Sequence, residues 1–315
     1  VSKHADTPPD APILITMGEP AGIGPEIAVA ALEHFQSSVG RHPLWLVGDL
    51  GVFENAGLQW GAVTQTQAKA TRTPGRPDPA NAAAVLEAIS LGVDMVRKGL
   101  AAAVVTAPIN KDVLHRSGFA FPGHTEFLGE LTGARRPVMM LASDRLRVVP
   151  LTIHLPLAEV PRAITAAAIV ETAEITLDAL ARDFRIVRPR LAVAGLNPHP
   201  GEFGDEDARI IAPAVESLRS RGHDVRGPLP ADTLFHDEAR KSYDAALCMY
   251  HDQALIPIKT LSFWDGVNVT LGLPIVRTSP DHGTALDIAG TGKADPRSMI
   301  AAIRMAAEIA DARAG

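Results

Sequence analysis

Short, wholly apolar runs recur along the chain, separated by longer stretches in which apolar residues return every three or four positions. The first pattern predicts buried strands and the second amphipathic helices. Strands are expected at Ile13–Thr16, Leu44–Val47, Ala101–Thr106, Val138–Ala142, Leu146–Ile153, Leu191–Leu196 and Ala245–Tyr250, with a further apolar segment at Val267–Leu271. Helices are expected at Ile27–His34, from Pro79 to about Lys98, at Leu157–Arg182, at Asp205–Arg221 and at Pro296–Arg313. Asp78 is placed to cap the second of these, and Gly99 to end it. Strands alternating with helices of this length predict an α/β fold with largely parallel strands. Gln59–Pro79, where Thr, Pro, Gly and Arg cluster, reads as a linker or as an irregular edge of a first domain.

Composition narrows the function. With 315 residues, 46% hydrophobic and 21% charged, the chain suits a globular protein of one large domain or two sharing a cleft. A net charge of −6 argues against a nucleic-acid partner, so an anionic ligand must be met by a few local cations. No apolar run reaches the length of a bilayer span, and no membrane partner is expected. The single cysteine, Cys248, cannot pair within the chain and sits in an apolar run, as a buried strand residue would. Together with the lack of a signal-peptide pattern, that points to the cytoplasm. Residues 1–12 are read as a disordered tail.

Three of the 11 histidines share one context. His154, His199 and His251 each stand at or just beyond the carboxyl end of an expected strand, the edge at which open α/β sheets bind ligands. Three imidazoles with open positions make a catalytic metal site, and Asp252 and Glu202 are neighbouring carboxylates able to ligate or orient. The plain alternative is that each histidine merely ends a strand. In Phe121–Phe127, His124 and Thr125 follow a glycine turn before a helix, where free backbone N–H groups favour an anion; Thr125 as a simple helix cap is the alternative. Lys259, Asn268 and Arg277 are embedded in apolar sequence. A buried cation needs a partner, either an internal carboxylate or a substrate phosphate or carboxylate. Gly18–Glu26 has the look of a phosphate cradle but fits neither the dinucleotide fingerprint nor the P-loop, so no Rossmann domain is expected.

Several longer motifs then point one way: Gly18-Glu19-Pro20-Ala21-Gly22-Ile23-Gly24-Pro25-Glu26, Gly123-His124-Thr125-Glu126-Phe127, Thr152-Ile153-His154-Leu155-Pro156-Leu157, Gly195-Leu196-Asn197-Pro198-His199, Gly227-Pro228-Leu229-Pro230-Ala231-Asp232-Thr233, and Tyr250-His251-Asp252-Gln253 through Ala285. In this order, from about Ile13 to Ala307, the chain resembles the 4-hydroxythreonine-4-phosphate dehydrogenase family of vitamin B6 biosynthesis. The resemblance implies an isocitrate/isopropylmalate dehydrogenase-like fold, two α/β domains around a central cleft. It places residues 13–125 with about 282–315 in the first domain and about 126–281 in the second. It also implies a homodimer with the active site at the subunit interface, and a divalent metal (zinc, magnesium or cobalt) on His154, His199 and His251. A small phosphorylated hydroxy amino acid would be gripped by His124, Thr125, Lys259, Asn268 and Arg277.

Asp281–Gly290 is similar to the adenosine-binding segment of isopropylmalate dehydrogenase. That implies NAD or NADP bound by His282, Gly283, Thr284 and Asp287. The expected reaction is oxidation of 4-phosphooxy-L-threonine to 2-amino-3-oxo-4-phosphooxybutanoate, which decarboxylates to 3-amino-2-oxopropyl phosphate. Asp252, Asp232 and Lys259 are the candidate general bases. Ala254 and Pro200 depart from the usual pattern without removing a liganding side chain. Relatives acting on threonate or erythronate 4-phosphate, or on aromatic cis-dihydrodiols, are the alternative substrate reading. A lyase or aldolase without a nicotinamide, or a sugar-phosphate binding protein, is the rival of a different class; the Asp281–Gly290 segment argues against both.

Overall fold

The computed structural model describes residues 7–121 and 123–315, and the chain forms two α/β units, Val1–Pro137 with Val267–Gly315, and Val138–Gly266. The first unit begins with β1 (Ile13–Thr16), α1 (Gly24–His34), β2 (Ser38–Val39), β3 (His42–Gly48), α2 (Leu50–Asn55), β4 (Ala62–Gln65) and α3 (Ala82–Arg97). It continues with β5 (Ala103–Val105), α4 (Lys111–Arg116) and α5 (His124–Thr132). The second unit holds β6 (Val138–Ala142), β7 (Arg147–Pro150), α6 (Val160–Ala163), α7 (Ala166–Asp183), β8 (Arg190–Ala194) and α8 (Ala212–Ser220). It ends with β9 (Asp224–Leu229), α9 (Ala231–Leu234), α10 (Asp237–Arg240), β10 (Ala245–Cys248) and α11 (His251–Leu261). The chain then returns to the first unit with β11 (Val267–Leu271), β12 (Arg277–Pro280) and α12 (Arg297–Ala314).

Strands of the first unit lie in the order β2-β3-β1-β5-β12-β11, with β4 also on β3. From β3 through β12 the neighbours are parallel, and β11 turns antiparallel onto β12. β1 and β5 are buried at every position, as parallel strands covered on both faces must be. The alanines of α3 let it lie close to them. A Cβ at Gly92 would come within 3.1 Å of Val104 Cγ2, so a side chain there would force Val104 to give by a few tenths of an ångström. Residues 79–97 are long and apolar enough to cross a membrane by length and composition, but this helix packs on β1, β3 and β5 as a core element. α12 buries Met299, Ile303, Ala306 and Ala310 at helical spacing. The two large side chains contribute roughly 1.5–3 kcal/mol each to holding it in place.

The second unit has the order β6-β7-β10-β8-β9, antiparallel only between β6 and β7. Leu141, Val148, Ala192, Cys248 and Leu255 belong to its core. Cys248 is a buried strand residue whose thiol pKa burial pushes far up, so it is inert.

Several elements differ from the sequence expectation. Of the expected tail, residues 1–6 lie outside the described part. Residues 7–12 are anchored, with Pro12 O accepting from Ala102 N at 2.8 Å. The Gln59–Pro79 stretch carries β4, paired with β3, and is thus an edge of the first unit. Leu157–Arg182 is not one helix: Ile164 and Thr165 are extended, and Thr165 caps α7 by accepting from Ala168 N at 3.1 Å. Residues 207–211 form a π-helical turn ahead of α8. The unit boundaries fall at 137/138 and 266/267, not near 125 and 281. The reason is β12, whose pairing with β5 ties the β11–β12 hairpin to the first sheet.

Candidate functional site

In the first unit, strand register assembles a cationic corner. Asn268 stands opposite Ser279, and Val269 opposite Thr278, which sets Thr270 against Arg277. Asn268, Thr270 and Arg277 therefore project from one face of the hairpin. Arg277 is 2% exposed. Its Nη1 donates to Thr270 Oγ1 at 2.8 Å, and Nε and Nη2 donate to Thr106 Oγ1 at 3.2 and 2.5 Å. Two hydroxyls take up three of its five N–H groups, and no carboxylate neutralises it among the described residues. Burial drops its pKa to about 9, so it stays cationic at neutral pH. The Asn268 Oδ1 is buried without a partner.

α5 opens beside this hairpin. Its N-cap is Gly123, which offers no side chain, so Thr125 lies inside the first turn and is not the cap. His124 has its Nε2 buried and, among the described residues, without a hydrogen-bond partner. Its pKa is held well below the ordinary value by burial first, then by the charges of Arg277 and Lys111. A neutral imidazole, two cations and the free N–H groups of a helix start surround one spot, which is chemistry suited to an anion. Lys111 had drawn no notice in the sequence, because it starts the short helix α4 in an unremarkable polar context.

The candidate cofactor segment belongs to the same unit. Ile23 N donates to Thr284 O at 2.9 Å, and a Cβ at Gly22 would stand 2.8 Å from that oxygen. Gly75 N donates to Ala21 O at 2.8 Å, and a Cβ at Gly75 would meet Leu286 O at 3.1 Å. Glu26 Oε1 accepts from Gly290 N at 2.6 Å and pairs with Arg72, itself nearly buried. Three loops are thus bound into one body, and the Gly18–Glu26 loop supports the 282–290 segment. His282 Nε2 is buried without a partner, nothing stands within 4 Å of a Cβ at Gly283, and Asp287 is exposed. An unmet donor or acceptor beside open space fits a nucleotide. Glu26 and Arg72 were missed in the sequence, being separated by 46 positions.

In the second unit each of the three histidines follows the carboxyl end of a strand, as expected, but none is a strand residue. β7 ends at Pro150, so His154 lies in the following loop; β8 ends at Ala194, before the His199 turn; and His251 opens α11 instead of ending a strand. His154 and His251 are brought together, ring centroids 6.3 Å apart, and line one hollow with Asp252. Asp252 Oδ1 lies 2.7 Å from His251 Nδ1, which leaves Nε2 to face a ligand. His199 lines a separate hollow with Asp232 and Gln253. Its turn is anchored by buried Asp207, which accepts from Leu196 N at 2.8 Å and Asn197 N at 3.1 Å. Gln253 Nε2 donates to Gly195 O at 2.8 Å, tying that turn to α11. Lys259 is half-buried on α11 and lines a further hollow, which His251 and Asp252 also border but His154 does not. Glu202 is exposed. Among the described residues no group of three or more His, Cys, Asp or Glu side chains gathers closely enough to hold a metal within one chain. The donor chemistry of the His154–His251 pair, with its orienting carboxylate, fits a divalent ion that takes its remaining ligands from elsewhere.

Residues 26–306 match the family described as pyridoxal phosphate biosynthetic protein PdxA. A 4-hydroxythreonine-4-phosphate dehydrogenase of Paracoccus denitrificans is 54% identical, over 96% of this chain and 98% of the relative. A crystal structure of the Klebsiella pneumoniae enzyme of that name superposes with a TM-score of 0.82 at 37% identity, covering 95% of this chain and 99% of the other. A terephthalate 1,2-cis-dihydrodiol dehydrogenase from Burkholderia xenovorans LB400 superposes at 0.68 with 28% identity, covering 95% and 98%.

Proposed function

The chain belongs to the PdxA family, and from that premise we propose that it oxidises the secondary alcohol of 4-phosphooxy-L-threonine with NAD or NADP and a divalent metal. The product is 2-amino-3-oxo-4-phosphooxybutanoate, a β-keto acid that loses CO2 to give 3-amino-2-oxopropyl phosphate, an intermediate toward pyridoxal 5'-phosphate. The observation that carries the reading is the buried Arg277, which has no carboxylate partner among the described residues and is set beside His124 and Asn268. A cation kept out of water in this way is poised for an anion brought by the substrate.

The metal would be held by His154, His199 and His251, and the dinucleotide by His282, Gly283, Thr284 and Asp287. Bound there, the two supply Lewis acidity to the substrate hydroxyl and a hydride acceptor. The chain's own residues do the rest. Arg277, Asn268, His124 and Thr125 bind and orient the anionic substrate, joined by Lys259. Asp252 fixes the tautomer and direction of His251. That role leaves Asp232 and Lys259 as the candidates to take the hydroxyl proton.

We assign completion of the metal site to a second copy of the chain. Leu155 and Leu157 are exposed beside His154 and His251, and Ile256, Phe263 and Trp264 are exposed in or just beyond α11. Apolar side chains around an incomplete ligand set suit a homodimer with the active site at its interface. The lone, inert Cys248 suits the cytoplasm.

The test is turnover. Purified protein is given 4-phosphooxy-L-threonine, threonate 4-phosphate, erythronate 4-phosphate and an aromatic cis-dihydrodiol, each with NAD or NADP and a series of divalent metals, and reduced cofactor is followed by absorbance. Preference for the phosphorylated amino acid supports the proposal. Preference for the dihydrodiol, or activity undiminished by chelation and dialysis, overturns it.

A further inference from the structure

We propose that Lys111 is a direct substrate-binding residue, and that it and Arg277 together make the corner by α5 the seat of the substrate's phosphate and not of its carboxylate. This rests on the activity proposed above and divides the labour among the groups that grip the substrate. The argument starts from Gly123. A Cβ there would lie 3.2 Å from Lys111 Cε and 3.3 Å from its Nζ, so the lysine is laid along the turn that starts α5. Its charge reaches the same imidazole, His124, that feels Arg277. The ammonium therefore stands at the mouth of the corner whose floor is the buried guanidinium.

Among the described residues neither charge forms an ion pair. The neighbour of Lys111, Asp112, is engaged by Arg116, and Glu126 forms no pair with the lysine although Glu126 Oε2 lies 3.6 Å from the same Cβ position. The corner thus presents two cations and the positive end of α5, whose cap residue contributes no side chain, with the exposed Glu126 carboxylate at its rim. A carboxylate, with only two acceptor oxygens, would leave donors of the corner unmet. A phosphate monoester carries between one and a half and two charges at neutral pH and has three acceptor oxygens. These match the spare N–H groups of Arg277, the N–H groups at the start of α5 and the ammonium of Lys111. The exposed position of Lys111 suits a group that closes over a ligand arriving from solvent, while Arg277 waits inside.

The experiment compares wild type, Lys111→Met, Lys111→Arg and the distant control Lys98→Met, all as the full metal- and cofactor-loaded protein. Two readouts are taken: KM for the phosphorylated substrate, and affinity for inorganic phosphate by competitive inhibition and by 31P line broadening. Lys111→Met should raise KM and weaken phosphate binding in parallel by about ten- to a hundredfold, the loss of one charge-assisted contact. Lys111→Arg should recover most of both, and Lys98→Met should change neither. Inhibition by a non-phosphorylated hydroxy amino acid, which reports the carboxylate seat, should be the same in all four. Unchanged phosphate affinity in a Lys111→Met protein with a native thermal transition overturns the proposal. So does a loss confined to the non-phosphorylated inhibitor. Wild type that turns over the dihydrodiol but no phosphorylated substrate overturns instead the activity on which the proposal rests.

Discussion

The two units prepare for their ligands in opposite ways. In the first, Arg277 is locked by strand register between Thr270 and Thr106, and everything it needs except an anion is supplied by the same chain. In the second, His154 and His251 share a hollow while His199 faces another, on a turn held by Asp207 and Gln253. A sheet can bury one fixed cation because its hydroxyl neighbours come at set positions across the ladder. The proposed metal ligands stand on three separate turns and would instead be completed by something outside the chain. The first unit should therefore bind its ligand alone, and the second should depend on assembly and on the ion.

The largest effect tests that dependence. His199→Ala should reduce turnover to background at every metal concentration while leaving the fold and the proposed dimer intact, measured by steady-state rate and by sedimentation. Phosphate binding in the first unit should survive this change, and survive chelation; if it vanished with the metal, the contrast between the units would be broken.

Arg277→Met comes next. A buried charge without a carboxylate partner is costly, and an apolar replacement of similar volume is often neutral or stabilising by about 1–4 kcal/mol. The variant should melt no lower than wild type, yet its KM should rise by about a hundredfold with loss of charge-assisted bonds. A lowered Tm would mean that Arg277 is a structural residue.

Asp252→Asn sharpens the other side. It keeps the shape but alters the partner of His251 Nδ1, and loss of such an orienting group typically costs about 10–100-fold in metal affinity. Titration of the apo-protein with zinc measures it directly. An unchanged affinity would show that Asp252 does not orient His251.

How much of this was legible in the sequence follows from the same contrast. Apolar strands and alanine-rich helices declared themselves because their periodicity is local: β1, β3, β6, β10, α3 and α12 fall close to where they were expected. The residues of the candidate site were legible mainly through motifs and family resemblance. β9 was hidden by Gly227 and Pro228, and β12 by its brevity and its polar residues Arg277, Thr278 and Ser279, whose burial depends on pairing with β5. α11 was obscured because Pro257 interrupts it, so His251 was assigned to the end of a strand when it stands at the start of a helix. The supports were least visible. Glu26 with Arg72, Asp207 with Asn197, and Gln253 with Gly195 act through distances that no local pattern encodes.

The smallest predicted effect lies in His124 and reads the electrostatics of the first unit without any activity assay. Burial, Arg277 and Lys111 hold its folded pKa well below the ordinary value, so the native ring stays neutral while an unfolded chain takes up a proton below about pH 6.5. The unfolded state then binds more protons, and stability must rise with pH across that window. The contribution is fully present above about 6.5 and is lost as the pH falls from there toward the depressed folded value, by at most about 1.4 kcal/mol per pH unit for one proton. Denaturant midpoints measured from pH 7.5 down to 5 should fall less steeply in His124→Gln than in wild type. Lys111→Met should produce a weaker flattening, because it removes only one of the three causes and the smallest of them. Inorganic phosphate works in the same direction by a different route: a bound anion offsets both cations, raises the imidazole pKa back toward its ordinary value and shrinks the slope. A wild-type slope unaffected by phosphate would mean that the anion binds elsewhere, and the first unit would lose its claim to be complete without its partner.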